Sequence, residues 1–187
     1  MNIRLKTDYQ TTDLVSVHKA EAKLGVSDGF DTSNVVSALD GSRKMVERKT
    51  DRSILNQTWV LNLDSFPSVI YLPKGILVSV THVKYYDTDN AQQTLVADTN
   101  YRVSGANTDD GRIIAISSWP SVNTERKDPI EIEYISGYGS ENGDLTLWAE
   151  NAILLGLPAM YDGCEAGMAY QNVIDQNRLY FDYSING

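Results

Sequence analysis

The sequence predicts an α+β protein: an N-terminal helix pair and a C-terminal helix packed together, an antiparallel β-meander or small β-sandwich inserted between them, and an extended C-terminal tail. Three stretches of distinct pattern predict this. Apolar residues recur at three- and four-residue spacing up to about position 50, at two-residue spacing from Gln57, and at helical spacing again after Asp144. Strands that succeed one another closely, with no helical segment between them, pair antiparallel. The expected organisation is residues 1–56 helical, 57–143 β-rich, 144–169 a helix completing the helical part, and 170–187 an extended interaction tail.

The first helix is read from "SVHKAEAKLGV". Val17, Ala20 and Leu24 share a face, Ser16 stands as N-cap and Gly25 as stop. The second is "NVVSALDGSRKMVERKTD", with Val35, Val36, Leu39 and Val46 on one stripe interrupted by Ser42. Its last turn collects Arg43, Lys44, Arg48 and Lys49, where cations suit the negative end of the helix dipole. A local, solvated role is expected for that basic cluster. The strands follow: "TWVLNLDSF", "SVIYLP", "ILVSVTHVKYYD", "QTLVA", "NYRVSG", "GRIIAISS" and "PIEIEYISGYG". In the third of these, Ile76, Val78, Val80, His82 and Lys84 are expected on one face and Leu77, Ser79, Thr81, Val83 and Tyr85 on the other. The last helix, "GDLTLWAENAILLGLPAMYDG", is apolar around much of its girth, has Asp144 as a possible cap, and is expected to kink or end near Gly156 because of Pro158. Beyond it Tyr170, Tyr180, Phe181 and Tyr183 show no helical stripe.

Composition narrows the function. With 187 residues, 42% hydrophobic and 22% charged, the chain is expected to fold as one compact body. A net charge of -9 argues against a DNA-gripping surface, since Lys and Arg supply most affinity for phosphates. The single cysteine, Cys164, excludes an intrachain disulfide framework and a four-cysteine zinc knuckle, and suits a reducing interior. The N-terminus "MNIRLKTDYQTTDLV" has no apolar signal core and no stretch approaches a membrane span, so a soluble, non-secreted protein without membrane contact is expected.

Chemistry-bearing patterns are few. His18 and His82 have no spaced partner and read as polar surface positions. "DTDNAQQTLVAD" begins like a calcium loop, with Asp87, Asp89 and Asp98 in place, but Ala91 and Gln92 stand where a ligand and the obligatory glycine belong, so a hairpin turn is expected. Glu131 and Glu133 share a sheet face, which would serve a glycosidase only inside a cleft with an apolar wall. The glycines of "GYGSENGD" lack the strand-turn-helix setting of a phosphate loop. No catalytic, cofactor-binding or metal-binding residue is assigned, no cofactor is expected, and the chain does not read as an enzyme.

The order of segments resembles the head-tail connector (adaptor, or head completion) proteins of tailed double-stranded DNA phages, in the branch with a β-rich insertion. The matching pieces are "SVHKAEAKL", "RKMVERKTDRSILNQTWVLNLDSFP", "IYLPKGILVSVTHVKYYDTDNAQQTL" followed by "NYRV", "IEIEYISGYG" and "AENAILLGLPAMYD". They cover most of the chain, and the long ordered run through "LNQTW", "LDSFP" and "LPKG" is the most diagnostic. The chain departs from the pattern at Lys19, where an acidic residue is usual, and at Gly156 and Pro158. The resemblance implies a structural protein of the virion, made in the host cytoplasm and seated at the head-tail interface, the neck. There it would form a ring, expected to be dodecameric, under the portal, extend the channel through which genomic DNA passes without specific binding, and dock the next tail or neck component. "NVIDQNRLYF" resembles the segment that in relatives ends in a hydrophobic-then-Arg motif, with Arg178 in the Arg place. An aromatic tail with little to bury against in its own monomer suits an interface. Asn172, Ile174, Arg178, Tyr180, Phe181, Tyr183 and Ile185 are therefore expected to bind the portal or a neighbouring subunit. The competing readings are a β-rich binding module of a tail or baseplate and an acidic glycosidase using Glu131 and Glu133.

Overall fold

The computed structural model describes residues 1–8, 15–139 and 146–180. In place of one compact body the chain forms two compact units, one of strands from Met1–Asp8 and Asn56–Gly137, and one of helices within residues 9–55 and 138–179. Asp144, the expected cap, and most of "GYGSENGD" lie outside the described residues.

The helical unit contains α1 (Val17–Leu24), α2 (Thr32–Thr50), α3 (Leu147–Tyr161) and α4 (Met168–Asn177). Helix α1 begins where the Ser16 hydroxyl accepts the Lys19 N–H and ends at Gly25, whose φ of 70° admits the left-handed turn that closes it. Val35, Leu39 and Val46 of α2 are buried as their spacing requires, together with Ala20 of α1 and Ala149, Ala152, Ile153 and Leu157 of α3. Lys19 reaches Glu150 of α3 at 2.5 Å.

Two expectations fail here, each for a packing reason. Helix α3 does not end near Gly156 but runs through Pro158 to Tyr161. Pro158 withholds only the N–H that the Leu154 carbonyl would accept. In the preceding turn, the Ser42 hydroxyl of α2 donates to the Ile153 carbonyl at 2.7 Å. Gly156 is a contact point: a Cβ there would stand 2.8 Å from Ser42 Oγ, 2.9 Å from Met45 Cε and 3.0 Å from Tyr170 Cε2. Residues 170–177 are not extended either, because α4 occupies Met168–Asn177. Tyr170, Val173 and Ile174 form a stripe at three- and four-residue spacing, and Tyr170 and Ile174 complete the unit's core.

The strand unit contains β1 (Asn2–Thr7), β2 (Gln57–Leu63), β3 (Val69–Tyr71), β4 (Leu77–Tyr86), β5 (Gln92–Leu95), β6 (Tyr101–Ser104), β7 (Arg112–Ala115) and β8 (Ile130–Ser136). A five-stranded sheet runs β1-β2-β8-β4-β5 and a three-stranded sheet β3-β7-β6, with every strand pair antiparallel. Leu61, Leu63, Ile130, Ile132 and Tyr134 of the first sheet share one core with Ile70, Tyr101 and Ile113 of the second. Of the two forms the sequence left open, this is the small sandwich. Residues 2–7 were expected in the helical part. They form an edge strand instead, placing Ile3 opposite Leu61 and Leu5 opposite Trp59.

The diagnostic stretch is structural. Leu61, Leu63, Ile70 and Leu72 are core residues, and Lys74 (φ 80°) and Gly75 (φ 89°) make the turn after Pro73. Tyr134 donates its hydroxyl to the Pro73 carbonyl, and Ser136 to that of Lys74. Phe66 stacks on Trp119 at 4.6 Å. Strand β4 does not keep the strict alternation expected of it. Register shifts between Leu77 and Ser79 and between Val80 and His82 put Leu77, Val80 and Val83 opposite Ser136, Tyr134 and Ile132. Val80 therefore joins the core side and leaves the face it was expected to share with His82. Among the described residues, no helix is long and apolar enough to cross a membrane.

Candidate docking surfaces

The C-terminal candidates divide at the end of α4. Asn172 is exposed, whereas Ile174 is 2% exposed and belongs to the helical core, so it cannot serve as an anchor for a partner. Arg178 is exposed at the C-cap of α4, and Tyr180 is 83% exposed. Phe181, Tyr183 and Ile185 lie outside the described residues. Two contacts fix where the chain leaves the helices: Arg52 Nε donates to the Asn177 carbonyl at 2.6 Å, and the Leu179 N–H to the Thr50 carbonyl at 2.8 Å. The departure point is thus the C-terminal end of α2.

A second surface lies at the N-terminal half of α2. Asp31, Asn34, Ser37, Ala38 and Gly41 line one wall of a groove of about 470 Å³, and Met160 and Tyr161 of α3 line the other. Gly41 lets α3 come close, since a Cβ there would lie 3.3 Å from the Met160 sulfur. The Tyr161 hydroxyl donates to Asp31 at 2.6 Å, and that bond, with some burial, holds the phenol above its ordinary range. Phe30, directly before Asp31, is 82% exposed, and Met160 40%. Sequence reading passed over this groove because its α2 wall is made of small and polar residues that mark no apolar stripe, and because Met160 and Tyr161 are brought to it only by folding.

Of the four basic residues of α2, Arg48 is exposed and the other three are engaged. Arg43 is buried between Asp40 and Glu47 at 2.9 Å from each, Lys44 pairs with Asp40, and Lys49 lies over the Tyr170 ring. The two cations beside Asp40 hold its carboxyl below the usual range despite the opposing effect of burial.

Glu131 and Glu133 do share a face of β8, but two cations and an imidazole surround them rather than an apolar wall. Lys6 pairs with Glu133, while Arg4 (3.7 Å) and His82 Nε2 (3.2 Å) approach Glu131. The apolar wall that a glycosidase pair needs around its acid is not what lines this face. Asp87 caps the β4–β5 turn: its carboxylate accepts the Asp89 and Ala91 N–H groups and the Gln93 side chain, and with Gln93 the largest cause its pKa is lowered. The calcium-like loop is a hairpin turn. His18 is not isolated, because folding brings Asp28 to 3.7 Å and Glu21 beside it.

No protein-family model and no curated protein matches the chain. Solved structures do match. A chain in the neck of the empty GTA particle computed with C6 symmetry is similar over 100% of both chains, with a TM-score of 0.79 and 18% identity. One in the neck of the native GTA particle computed with C12 symmetry is similar over the same span, with 0.76 and 18%. One in the virion of the native gene transfer agent (GTA) particle is similar over 97% of each chain, with 0.78 and 18%. At that identity the likeness is one of fold: from end to end this chain has the α+β fold of chains found in the neck of gene transfer agent particles.

Proposed function

We propose that this chain is a structural head-tail connector of a tailed phage or gene transfer agent. In this reading it forms a ring, dodecameric by the portal's symmetry, beneath the portal protein at the neck of the virion, and carries the next tail or neck component below. The observation that supports it most is the full-length likeness of fold to chains of necks solved with C6 and C12 symmetry. The resemblance of the ordered segments to head-tail connectors points the same way from the sequence side.

The surfaces suit such an assembly. A closed ring needs two unlike patches on each copy, because its interface is heterologous. The chain leaves α4 beside Thr50, while the groove at Asp31 lies at the opposite end of α2, about 28 Å away by helix rise. Segment and groove can therefore engage different partners at once. In this reading the segment from Arg178 onward, with Tyr180 as an aromatic anchor, docks on the portal, and the groove receives the adjacent copy. The genome passes without specific binding: net charge is -9, and Arg43 and Lys44 are committed to carboxylates, leaving those cations little freedom to hold phosphate.

Mass photometry of the purified chain with and without its portal tests this. A ring, or assembly that appears on adding portal, is expected; a monomer indifferent to the portal overturns the reading. Truncation after Leu179 is expected to abolish portal attachment while leaving the helical circular dichroism intact, since α4 and its core contacts are kept.

A further inference from the structure

We propose that His18, Glu21 and Asp28 form a binding site for one divalent transition-metal ion, zinc by preference, that ties α1 to the turn before α2. The starting point is a buried charge. Glu21 is 2% exposed, yet among the described residues its carboxylate has no Lys or Arg partner. Among the described residues it accepts the Gly29 N–H at 3.2 Å and the Thr32 hydroxyl at 3.3 Å, both through Oε1. Buried charges are as a rule paired or coordinate metals, and Glu21 has no Lys or Arg beside it among the described residues. Among the described residues, the other buried charged side chains obey the rule: Glu133 has Lys6, and Arg43 has Asp40 and Glu47.

The geometry supplies the remaining ligands. His18 and Glu21 are three residues apart on α1 and so lie on one face. The left-handed Gly25 and the turn through Gly29 (φ 73°) return the chain so that Asp28 comes beside them. One donor atom from each side chain lies within 4.8 Å of the other two, and His18 Nδ1 is 3.7 Å from Asp28 Oδ2. Donors around a tetrahedral zinc stand roughly 3.4 Å apart. His18 and Asp28 have side chains 78% and 79% exposed, so both are free to rotate the remaining distance, while Glu21 is held in place by its two hydrogen bonds. An imidazole with two carboxylates favours zinc and its neighbours over magnesium or calcium, which take all-oxygen sets. Water completes the coordination on the open side. The site lies within the helical unit and does not depend on the connector role.

Isothermal titration of zinc chloride into the full chain carrying Cys164→Ser, which removes an exposed thiol able to take zinc by itself, tests the proposal. One equivalent is expected to bind and to raise the melting temperature. His18→Ala and Asp28→Asn, both at exposed positions, should each weaken binding by more than about tenfold, the loss that even an outer-shell change causes. His82→Ala should leave it unchanged. Absence of stoichiometric binding overturns the site, and so does binding that His18→Ala leaves intact. Either result is read on the isolated chain and leaves the ring and portal measurements untouched.

Discussion

The strand unit and the helical unit close their cores by opposite means. Two sheets face each other across a gap that only large side chains fill, so the first core is made of Tyr134, Leu61, Ile113, Ile132 and their like. Helices approach as closely as the residues at their contact allow, and here those are small: Ala38 and Ser42 on α2, Ala149, Ala152 and Gly156 on α3. A large ring, Tyr170, then docks against the gap at Gly156. The two units also treat their buried phenols differently. The Tyr134 hydroxyl has an acceptor in Pro73, whereas the Tyr170 hydroxyl has no hydrogen-bond partner among the described residues. Volume is therefore indispensable in one unit, and its absence in the other.

The hardest test of that contrast exchanges the two needs. Tyr134→Ala is expected to cost about 3–5 kcal/mol in chemical denaturation, the usual consequence of emptying a fully buried aromatic site. Gly156→Val, which adds volume where Ser42, Met45 and Tyr170 converge, is expected to cost about 1–3 kcal/mol. Gly167→Ala, at a position with nothing within 4 Å, should change little. If Gly156→Val proved harmless, the close crossing of α2 and α3 would not be what seals the helical core.

Sequence reading was strongest where a single segment held all the information. The Ser16 cap, the Gly25 stop, the α2 stripe and the change of period at Gln57 were legible because each depends on neighbours in the chain. It failed where a distant partner decides. The two register shifts in β4 are set by β8, roughly fifty residues on, and nothing in "ILVSVTHVKYYD" marks them. Edge strand β1 is only six residues long and takes its place from pairing with β2. Helix α4 was within reach through Tyr170, Val173 and Ile174, but its N-cap Gly167 makes no side-chain cap bond and its ten residues carry a thin stripe. For the candidate sites the division is the same. Exposure of Tyr180 follows from its place past the last helix, while the burial of Ile174 and the approach of Asp28 to His18 are tertiary facts.

A subtler exchange removes one oxygen from each unit. Tyr134→Phe withdraws the donor from the Pro73 carbonyl, in a buried turn, and is expected to cost about 1–3 kcal/mol. Tyr170→Phe removes an unpartnered hydroxyl and is expected to be neutral or to stabilise by up to about 1 kcal/mol. The pH dependence separates them further. Burial pushes the Tyr170 phenol up to about 12, against the weaker opposing pull of the Arg48 charge, while in the unfolded chain it titrates near 10. The folded state therefore holds this proton more tightly. Its contribution is complete below pH 10 and is lost as pH rises toward 12. Denaturation midpoints recorded across that window should fall less steeply in Tyr170→Phe than in the parent chain, and an unchanged slope would mean that the phenol is hydrated.

The smallest expected effect lies on β1, where two cations of the same strand meet two carboxylates of β8. Arg4 and Glu131 are both well exposed, at 54% and 38%, so Arg4→Met should shift stability by less than about 0.5 kcal/mol, and 1 M salt should erase even that. Lys6 faces Glu133, whose side chain is only 10% exposed. Removing the lysine strands a mostly desolvated carboxylate, so Lys6→Met should cost more than Arg4→Met, on the order of 1 kcal/mol, and resist salt. The two substitutions delete the same charge from adjacent rungs of one edge strand. A difference between them reflects the burial of the partner together with the shorter contact, 2.5 Å against 3.7 Å, and the His82 imidazole that Glu131 keeps. Equal losses would show that the sheet face is open to water along its whole length and that Glu133 needs no cation.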